Sequence, residues 1–358
     1  MATCWASARR MLPALALVAI LGACVPPTTP PPPPTAFASI APPQGATPGA
    51  ADEWYWAPAP NGRAVTLGVF RPTGPGPIPP ASTTTTTQPP VTTTQPPEPV
   101  TTTIAPEATT TTSAPEPPSG SVASESPFVR PIPAGPKGRP PTLMILNGGD
   151  GFRRGYETLA QRFAAQGFIV IVGCWYEHPT PLAQRVNGIA CVNGPSWKGM
   201  NASSVADLDA LVAAASLVPD VDTARLAILG HSYGAGVALL RAAAGRPEPV
   251  ISSSGFIARF PTYDGGLPTD QYAAERAGGI HAPVLVMHGR ADPITPMGQA
   301  YAFVAAMPSS NPPTTDYFAA PASHMFPWQS EQLSDRPGAP MSQLYIEDIS
   351  AWVHAQFG

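Results

Sequence analysis

Short, largely apolar runs alternate with amphipathic stretches from residue 141 to the C-terminus. The runs with strand composition are 143–146, 168–172, 225–229, 250–253 and 283–288. The stretches with helical spacing are 156–166, 205–217, 233–244, 298–307 and 344–357. Strands that are apolar on both faces and alternate with helices are typical of a parallel sheet covered on both sides. The sequence therefore predicts an α/β fold with a mostly parallel central sheet and helices on both faces.

A glycine-flanked serine follows the third of these apolar runs. Gly230-His231-Ser232-Tyr233-Gly234 comes after the run 225–229 and opens the alanine-rich stretch 233–244. A G-x-S-x-G pentapeptide between a strand and a helix is typical of a nucleophile elbow, in which a sharp turn lifts the serine above the sheet. Small residues are needed beside the serine because its backbone is strained and larger side chains would clash. Ser232 is therefore the predicted nucleophile.

A nucleophilic serine requires a general base, and the base requires an acid that orients it. His324 lies in a loop ahead of the last predicted helix, whereas the other five histidines lie in the elbow, at a strand end, in a helix or before the acid. Asp292 follows the apolar run 283–288 after a short loop and is the predicted acid. Asp316 is the alternative acid.

The first apolar run ends in a glycine-rich sequence, Asn147-Gly148-Gly149-Asp150-Gly151. Glycines at this position allow backbone N–H groups to approach a developing negative charge. We expect the Gly149 N–H to be the first oxyanion donor, with Asp150 as the alternative. The second donor is the N–H of Tyr233, directly after the nucleophile.

These motifs together resemble the α/β-hydrolase superfamily over residues 143–357, and most closely its dienelactone-hydrolase-like and cutinase-like esterase branches. The resemblance implies the α/β-hydrolase fold, a Ser–His–acid triad, an acyl-enzyme intermediate and hydrolysis of carboxylic esters. It implies neither a cofactor nor a metal site. One departure is Asn147, where many relatives carry a histidine that supports the loop.

The expected substrate is a small-molecule or lipid acyl ester. Two other function classes remain open: a peptidase or acyltransferase that uses the same triad, and a non-catalytic surface protein that uses the fold for binding. Charged residues are 12% of the chain and the formal net charge is −4, so there is no basic patch that would favour nucleic-acid binding.

The N-terminus carries the pattern of an export signal. Arg9 and Arg10 precede an apolar run at 11–21, which is shorter than a bilayer-spanning helix. The run ends in Leu-Gly-Ala-Cys, which resembles the lipobox of bacterial lipoproteins. We therefore expect residues 1–23 to be a signal peptide and Cys24 to carry lipid, which would anchor an exported protein to the cell envelope. An ordinary cleaved signal is the alternative.

Export also bears on the remaining cysteines. Cys174 and Cys191 form one pair after Cys4 and Cys24 are set aside. In an oxidising compartment this pair predicts a disulfide; two free buried thiols are the alternative.

Proline- and threonine-rich sequence interrupts the chain twice. The chain has 51 prolines, and tracts of this composition cannot bury a core. We assign residues 24–50 to a tether and residues 51–358 to the hydrolase domain, with a Pro/Thr insertion at about 73–127. The aromatic-rich segment 54–70 favours the insertion, because such residues serve no purpose in a solvated stalk. A stalk that leads to a domain starting near Phe128 is the alternative.

Overall fold

The computed structural model describes residues 36–73, 139–177, 187–191, 194–195, 199–258, 272–333 and 335–357. Within these residues nine strands form one sheet: β1 (Ala38–Ile40), β2 (Glu53–Ala59), β3 (Arg63–Phe70), β4 (Thr142–Leu146), β5 (Ile169–Cys174), β6 (Leu226–His231), β7 (Val250–Ser253), β8 (Val284–Gly289) and β9 (Thr314–Phe318). The described α-helices are α1 (Arg154–Ala164), α2 (Ala202–Ala215), α3 (Tyr233–Ala243), α4 (Met297–Ala306) and α5 (Met341–Phe357). Short 3-10 helices occur at Pro60–Gly62, Thr223–Arg225, Ala273–Gly279 and Phe326–Trp328.

The strand order is β1-β2-β3-β5-β4-β6-β7-β8-β9. From β5 to β9 every neighbouring pair is parallel, whereas β1, β2 and β3 join as an antiparallel extension next to β5. The predicted α/β-hydrolase fold with a mostly parallel sheet is thus confirmed. Because parallel strands end on the same edge, the loops after β4, β6, β8 and β9 meet there.

The side chains of successive residues in each central strand point to opposite faces of the sheet. In β4, Met144 and Leu146 pack into a core with α2, α3 and α4, while Leu143 and Ile145 pack into a second core with α1 and α5. Burial of each such side chain contributes roughly 1.5–3 kcal/mol relative to exposure. The two cores explain why the central strands are apolar throughout.

The N-terminal strands belong to the same sheet. β3 pairs with β5 so that Leu67 lies opposite Gly173. The Pro/Thr tract, most of which lies outside the described residues, therefore runs in sequence between two strands of one sheet, β3 and β4.

The boundary that we drew at residue 50 differs from the structure. Residues 36–50, assigned to a tether, include β1, which pairs with β2, and Ala46 and Ala50 pack against the α1/α5 core. Arg154 on α1 also donates to the carbonyl of Gly45 at 2.8 Å. The described part of this segment therefore belongs to the folded domain because, despite its prolines, it has a strand and a core to pack against.

None of the described helices has the length and apolar character needed to cross a bilayer. The predicted signal peptide, Cys24 and residues 24–35 of the tether lie outside the described residues.

Candidate active site

Ser232 forms the turn between β6 and α3. Its backbone has φ 52° and ψ −116°, a left-handed conformation that costs a non-glycine residue about 1–3 kcal/mol. Neighbouring strands and loops hold this turn: Ser232 N donates to the carbonyl of Ser253 at 2.9 Å, and Phe256 N donates to the carbonyl of Ser232 at 3.1 Å. The elbow geometry predicted from the pentapeptide is present.

The glycines of the pentapeptide provide the space for this turn. A Cβ on Gly234 would lie 2.7 Å from the carbonyl oxygen of Asn147. A Cβ on Gly230 would overlap the backbone of Ala235. Both positions therefore require glycine because fixed backbone, rather than a flexible side chain, occupies the site.

Asp292 and His324 meet at the same edge of the sheet. Nδ1 of His324 lies 2.8 Å from Oδ2 of Asp292, and both residues are buried. A carboxylate accepts only, so Nδ1 carries the proton and donates it. This assignment leaves Nε2 of His324 as the nitrogen that can accept a proton.

The Asp292 carboxylate is held by further donors. Oδ1 accepts from the backbone N–H groups of Ile294 and Thr295, each at 2.8 Å, and Oδ2 accepts from Oγ1 of Thr295 at 2.7 Å. Burial by itself would raise the pKa of Asp292, but the hydrogen bond and charge of His324 and the Thr295 donors lower it to about 2. The Asp292 carboxylate is therefore ionised at neutral pH.

His231, next to Ser232 in the chain, contacts His324 directly. Nε2 of His231 lies 3.0 Å from the carbonyl oxygen of His324, and Nδ1 lies 3.2 Å from Oη of Tyr156. Burial, together with the nearby His324, lowers the pKa of His231 to about 3, so its ring is neutral. Nε2 then donates to the carbonyl and Nδ1 accepts from Tyr156. This contact holds the loop of His324 against the end of β6.

The glycine-rich loop after β4 approaches the elbow. A Cβ on Gly148 would lie 3.1 Å from Cβ of Ser232, and one on Gly149 would lie 3.9 Å from Cβ of Tyr233. Gly148 N donates to Oη of Tyr156 at 2.8 Å. The Gly149 N–H finds no hydrogen-bond partner in the described part of the chain, and Gly149 is exposed. The loop thus presents a free backbone donor beside Tyr233.

Comparison with known protein families identifies the family of this chain. The model of the dienelactone hydrolase family matches residues 130–342, more than half of the chain. The chain belongs to the dienelactone hydrolase family. No curated protein matches its sequence.

Solved structures with similar folds are distant from this dienelactone hydrolase family member. A candidate dienelactone hydrolase of Klebsiella pneumoniae is 20% identical with a TM-score of 0.45, covering 62% of this chain and 89% of that chain. A monoacylglycerol lipase of Paleococcus ferrophilus is 17% identical with a TM-score of 0.44, covering 61% and 96%. An alpha-beta serine hydrolase homologue of Coxiella burnetii is 13% identical with a TM-score of 0.45, covering 86% and 98%.

The alternative acid of this dienelactone hydrolase family member lies apart from the histidine. Asp316 is on β9, where it lies 3.5 Å from Arg336, and Arg336 also binds Asp348 at 2.5 Å. Burial and the Asp348 carboxylate raise the pKa of Asp316 to about 8. The structure therefore brings Asp292, and not Asp316, to His324.

The other predicted residues have defined places. Cys174, the last residue of β5, forms a disulfide with Cys191, with Cα atoms 5.5 Å apart. Tyr233 stacks its ring on Trp175 with centroids 5.3 Å apart, and its hydroxyl donates to the carbonyl of Gly199 at 2.7 Å. In the described ranges no group of three His, Cys, Asp or Glu side chains could hold a metal ion.

Sequence reasoning missed two residues at this site. Thr295 binds Asp292 and also lies 3.1 Å from Nδ1 of His324. Its place three residues after Asp292 in Asp-Pro-Ile-Thr is a pattern in which an aspartate caps the following backbone N–H groups, and this could have indicated it. Tyr156 had no such pattern, because only the tertiary fold brings helix α1 to the elbow.

Proposed function

We propose that this protein is a serine hydrolase that cleaves carboxylic esters, with Ser232 as nucleophile, His324 as base and Asp292 as acid. The observation that carries this proposal is the 2.8 Å hydrogen bond between Asp292 and His324 at the sheet edge where Ser232 forms its strained turn. A buried, ionised carboxylate that orients a histidine, at the same sheet edge as a serine in a strained turn, supports a catalytic triad.

The proposed reaction has two half-reactions. Nε2 of His324 takes the proton of Ser232 as the serine oxygen attacks the ester carbonyl carbon. The tetrahedral intermediate collapses, His324 returns the proton to the departing alcohol, and an acyl-enzyme remains. Water, activated by His324, then attacks the acyl carbon, and the acid leaves with Ser232 regenerated.

The N–H groups of Gly149 and Tyr233 would stabilise the oxyanion. The Gly149 N–H is exposed and has no hydrogen-bond partner among the described residues, which supports this role. Loss of one such donor typically costs about 2.7–4 kcal/mol of transition-state stabilisation.

The test is turnover of short p-nitrophenyl esters by the wild type and by Ser232→Ala. We expect Ser232→Ala to lose activity by several orders of magnitude. Ser252→Ala is the matched control, because Ser252 is a buried serine on β7 whose hydroxyl has no partner among the described residues. Wild-type turnover by Ser232→Ala would refute the proposal.

The same triad could transfer acyl groups to other acceptors. A panel of esters and peptides, with and without competing alcohols, separates these activities: an ester hydrolase releases free acid and leaves peptides intact. A folded protein that neither turns over the panel nor reacts with a fluorophosphonate would instead be a binding protein.

We also propose that the protein is exported and anchored through lipid on Cys24. The Leu-Gly-Ala-Cys sequence after the apolar run 11–21 supports this. Expression in a bacterium with labelled palmitate should label the wild type and not Cys24→Ser. Equal labelling of both, or of neither, would contradict the proposal.

A further inference from the structure

Two tyrosine hydroxyls bind the backbone of Gly148, one at its N–H and the other at its carbonyl oxygen. The Gly148 N–H donates to Oη of Tyr156 at 2.8 Å. Oη of Tyr176 donates to the carbonyl oxygen of Gly148 in a short hydrogen bond. Both tyrosines are buried, so water does not compete for these bonds. The backbone of this loop residue is therefore restrained at both its donor and its acceptor.

The second of these bonds also helps to set the direction of the next N–H. The carbonyl of Gly148 and the N–H of Gly149 belong to one peptide group. In the described residues the only cis peptide is Ala320–Pro321, so this group is trans and its N–H points away from its carbonyl. A carbonyl that is held toward Tyr176 therefore turns the Gly149 N–H to the opposite side.

A peptide between two glycines needs such a restraint. Without Cβ atoms, Gly148 and Gly149 can adopt many backbone conformations at little energetic cost, so their shared peptide could rotate and withdraw its N–H. An oxyanion donor acts only when it is already oriented toward the developing charge. The Gly148 carbonyl also accepts from the Gly151 N–H at 3.0 Å and from the side-chain amide of Asn147 at 3.1 Å. The Tyr176 hydroxyl makes the shortest of these three hydrogen bonds.

Rigid neighbours hold Tyr176 in place. It follows β5 by two residues and lies beside Cys174 of the disulfide. Its ring packs edge-to-face on Trp175 and Tyr233, with centroids 4.9 and 5.5 Å away. These contacts come from the core and from the first turn of α3, so the hydroxyl is held by the same elements that carry the elbow.

We propose that Tyr176 is a positioning residue for the oxyanion donor: its hydroxyl fixes the Gly148–Gly149 peptide so that the Gly149 N–H faces the reacting carbonyl. This inference rests on the proposed function. Tyr156 completes the restraint, but it also contacts His231, which in turn binds the carbonyl of His324. Replacement of Tyr156 would therefore disturb the proposed base as well. Tyr176 is therefore the residue that tests the oxyanion donor by itself.

The experiment compares Tyr176→Phe with wild type in ester turnover and in binding of a trifluoromethyl ketone, which forms a tetrahedral adduct with the serine. We expect kcat to fall roughly 10- to 100-fold, a part of the about 10²- to 10³-fold effect of removing a donor outright. The KM should stay within about twofold, and affinity for the ketone should fall by the same factor as kcat, because the ketone mimics the transition state. A purely structural role would not produce this parallel loss.

Tyr55→Phe is the matched control. Tyr55 is a buried tyrosine on β2 whose hydroxyl donates to Glu53 at 2.8 Å, away from the active-site loops. It should retain wild-type kcat and ketone affinity. Active-site titration with a fluorophosphonate corrects each rate for the fraction of folded enzyme. Replacement of Tyr176 by 4-aminophenylalanine retains the ring and an N–H donor, and it should restore ketone affinity to near the wild-type level even if the phenylalanine variant folds poorly.

The outcomes are distinct. A Tyr176→Phe enzyme with wild-type kcat per titrated site and wild-type ketone affinity overturns the inference and leaves the proposed esterase intact. A folded 4-aminophenylalanine variant that binds the ketone as weakly as the phenylalanine variant also overturns it. Wild-type turnover by Ser232→Ala overturns the proposed function itself, and the role of Tyr176 with it.

Discussion

Replacing Asp292 by asparagine tests the hydrogen-bond pattern around the acid. The two carboxylate oxygens accept four hydrogen bonds, from the N–H groups of Ile294 and Thr295, from Oγ1 of Thr295 and from Nδ1 of His324, at 2.7–2.8 Å. All four partners donate. An asparagine side chain has only one oxygen. Its NH2 group, itself a donor, must therefore replace one of the two oxygens and face groups that also donate.

The backbone donors cannot rotate, so the amide oxygen stays with them and the NH2 group faces His324. His324 must then accept at Nδ1 and carry its proton on Nε2, which cannot take the Ser232 proton. The carboxylate charge is also lost; the lowering of its pKa from 3.8 to about 2 corresponds to about 2 kcal/mol in favour of the ionised form. Together the wrong tautomer and the lost charge should lower kcat by roughly 10³- to 10⁴-fold, since the same exchange in a chymotrypsin-type triad costs about 10⁴-fold.

The assay is steady-state turnover of a p-nitrophenyl ester near neutral pH, expressed per folded enzyme. We expect KM to change little, because the acid does not contact the substrate. Asp316→Asn is the matched control and should retain kcat, because Asp316 binds Arg336 instead of His324. The reasoning is refuted if Asp292→Asn keeps more than about a tenth of wild-type kcat, or if Asp316→Asn loses as much activity as Asp292→Asn.

Three further predictions concern single side chains. Thr295→Val retains the shape but removes the 2.7 Å hydrogen bond to Asp292, so kcat should fall about 10-fold, equivalent to ~1.4 kcal/mol; an unchanged kcat would contradict a role for this hydroxyl. Gly234→Ala would place a Cβ 2.7 Å from the Asn147 carbonyl and should lower the free energy of unfolding by about 1–3 kcal/mol, measured by urea denaturation; wild-type stability would contradict the close approach. The pKa of Asp316 is raised from 3.8 to about 8 by burial and a second carboxylate, so the folded state retains a proton that the unfolded chain loses, and stability falls as pH rises through this interval. Asp316→Asn should therefore raise Tm at alkaline pH and change it little near pH 4, and an equal effect at both would contradict this cause.

The elements that the sequence predicted best are those with a single strong pattern. Val250–Ser253 is the strand β7 as predicted, and α3 begins at Tyr233 as the pentapeptide indicated. Buried parallel strands are apolar on both faces, so they stand out in the sequence. The short strand β1 was missed because it lies in proline-rich sequence and its three residues are not buried, so they form no apolar run. The strand β9 was missed because most of its residues are only half-buried at the sheet edge, and Thr-Thr-Asp-Tyr-Phe has no clear alternation.

The candidate site was predictable to the extent that chain order reflects the fold. Ser232, Asp292 and His324 follow the strands β6, β8 and β9, and loops after parallel strands must meet at one edge. The sequence did not distinguish Asp292 from Asp316, because only the tertiary structure turns one toward His324 and the other toward Arg336. The tyrosines at Gly148 were also not predictable, since each reaches that residue from a separate element.

The most direct test of the central claim is to map where a fluorophosphonate reacts with the intact protein. The probe phosphonylates only an activated serine, and peptide mass spectrometry identifies the modified residue. We predict a single adduct on Ser232, formed in step with the loss of esterase activity and absent from Ser232→Ala and His324→Ala. An adduct on another residue, or full esterase activity after Ser232 is modified, would contradict the account.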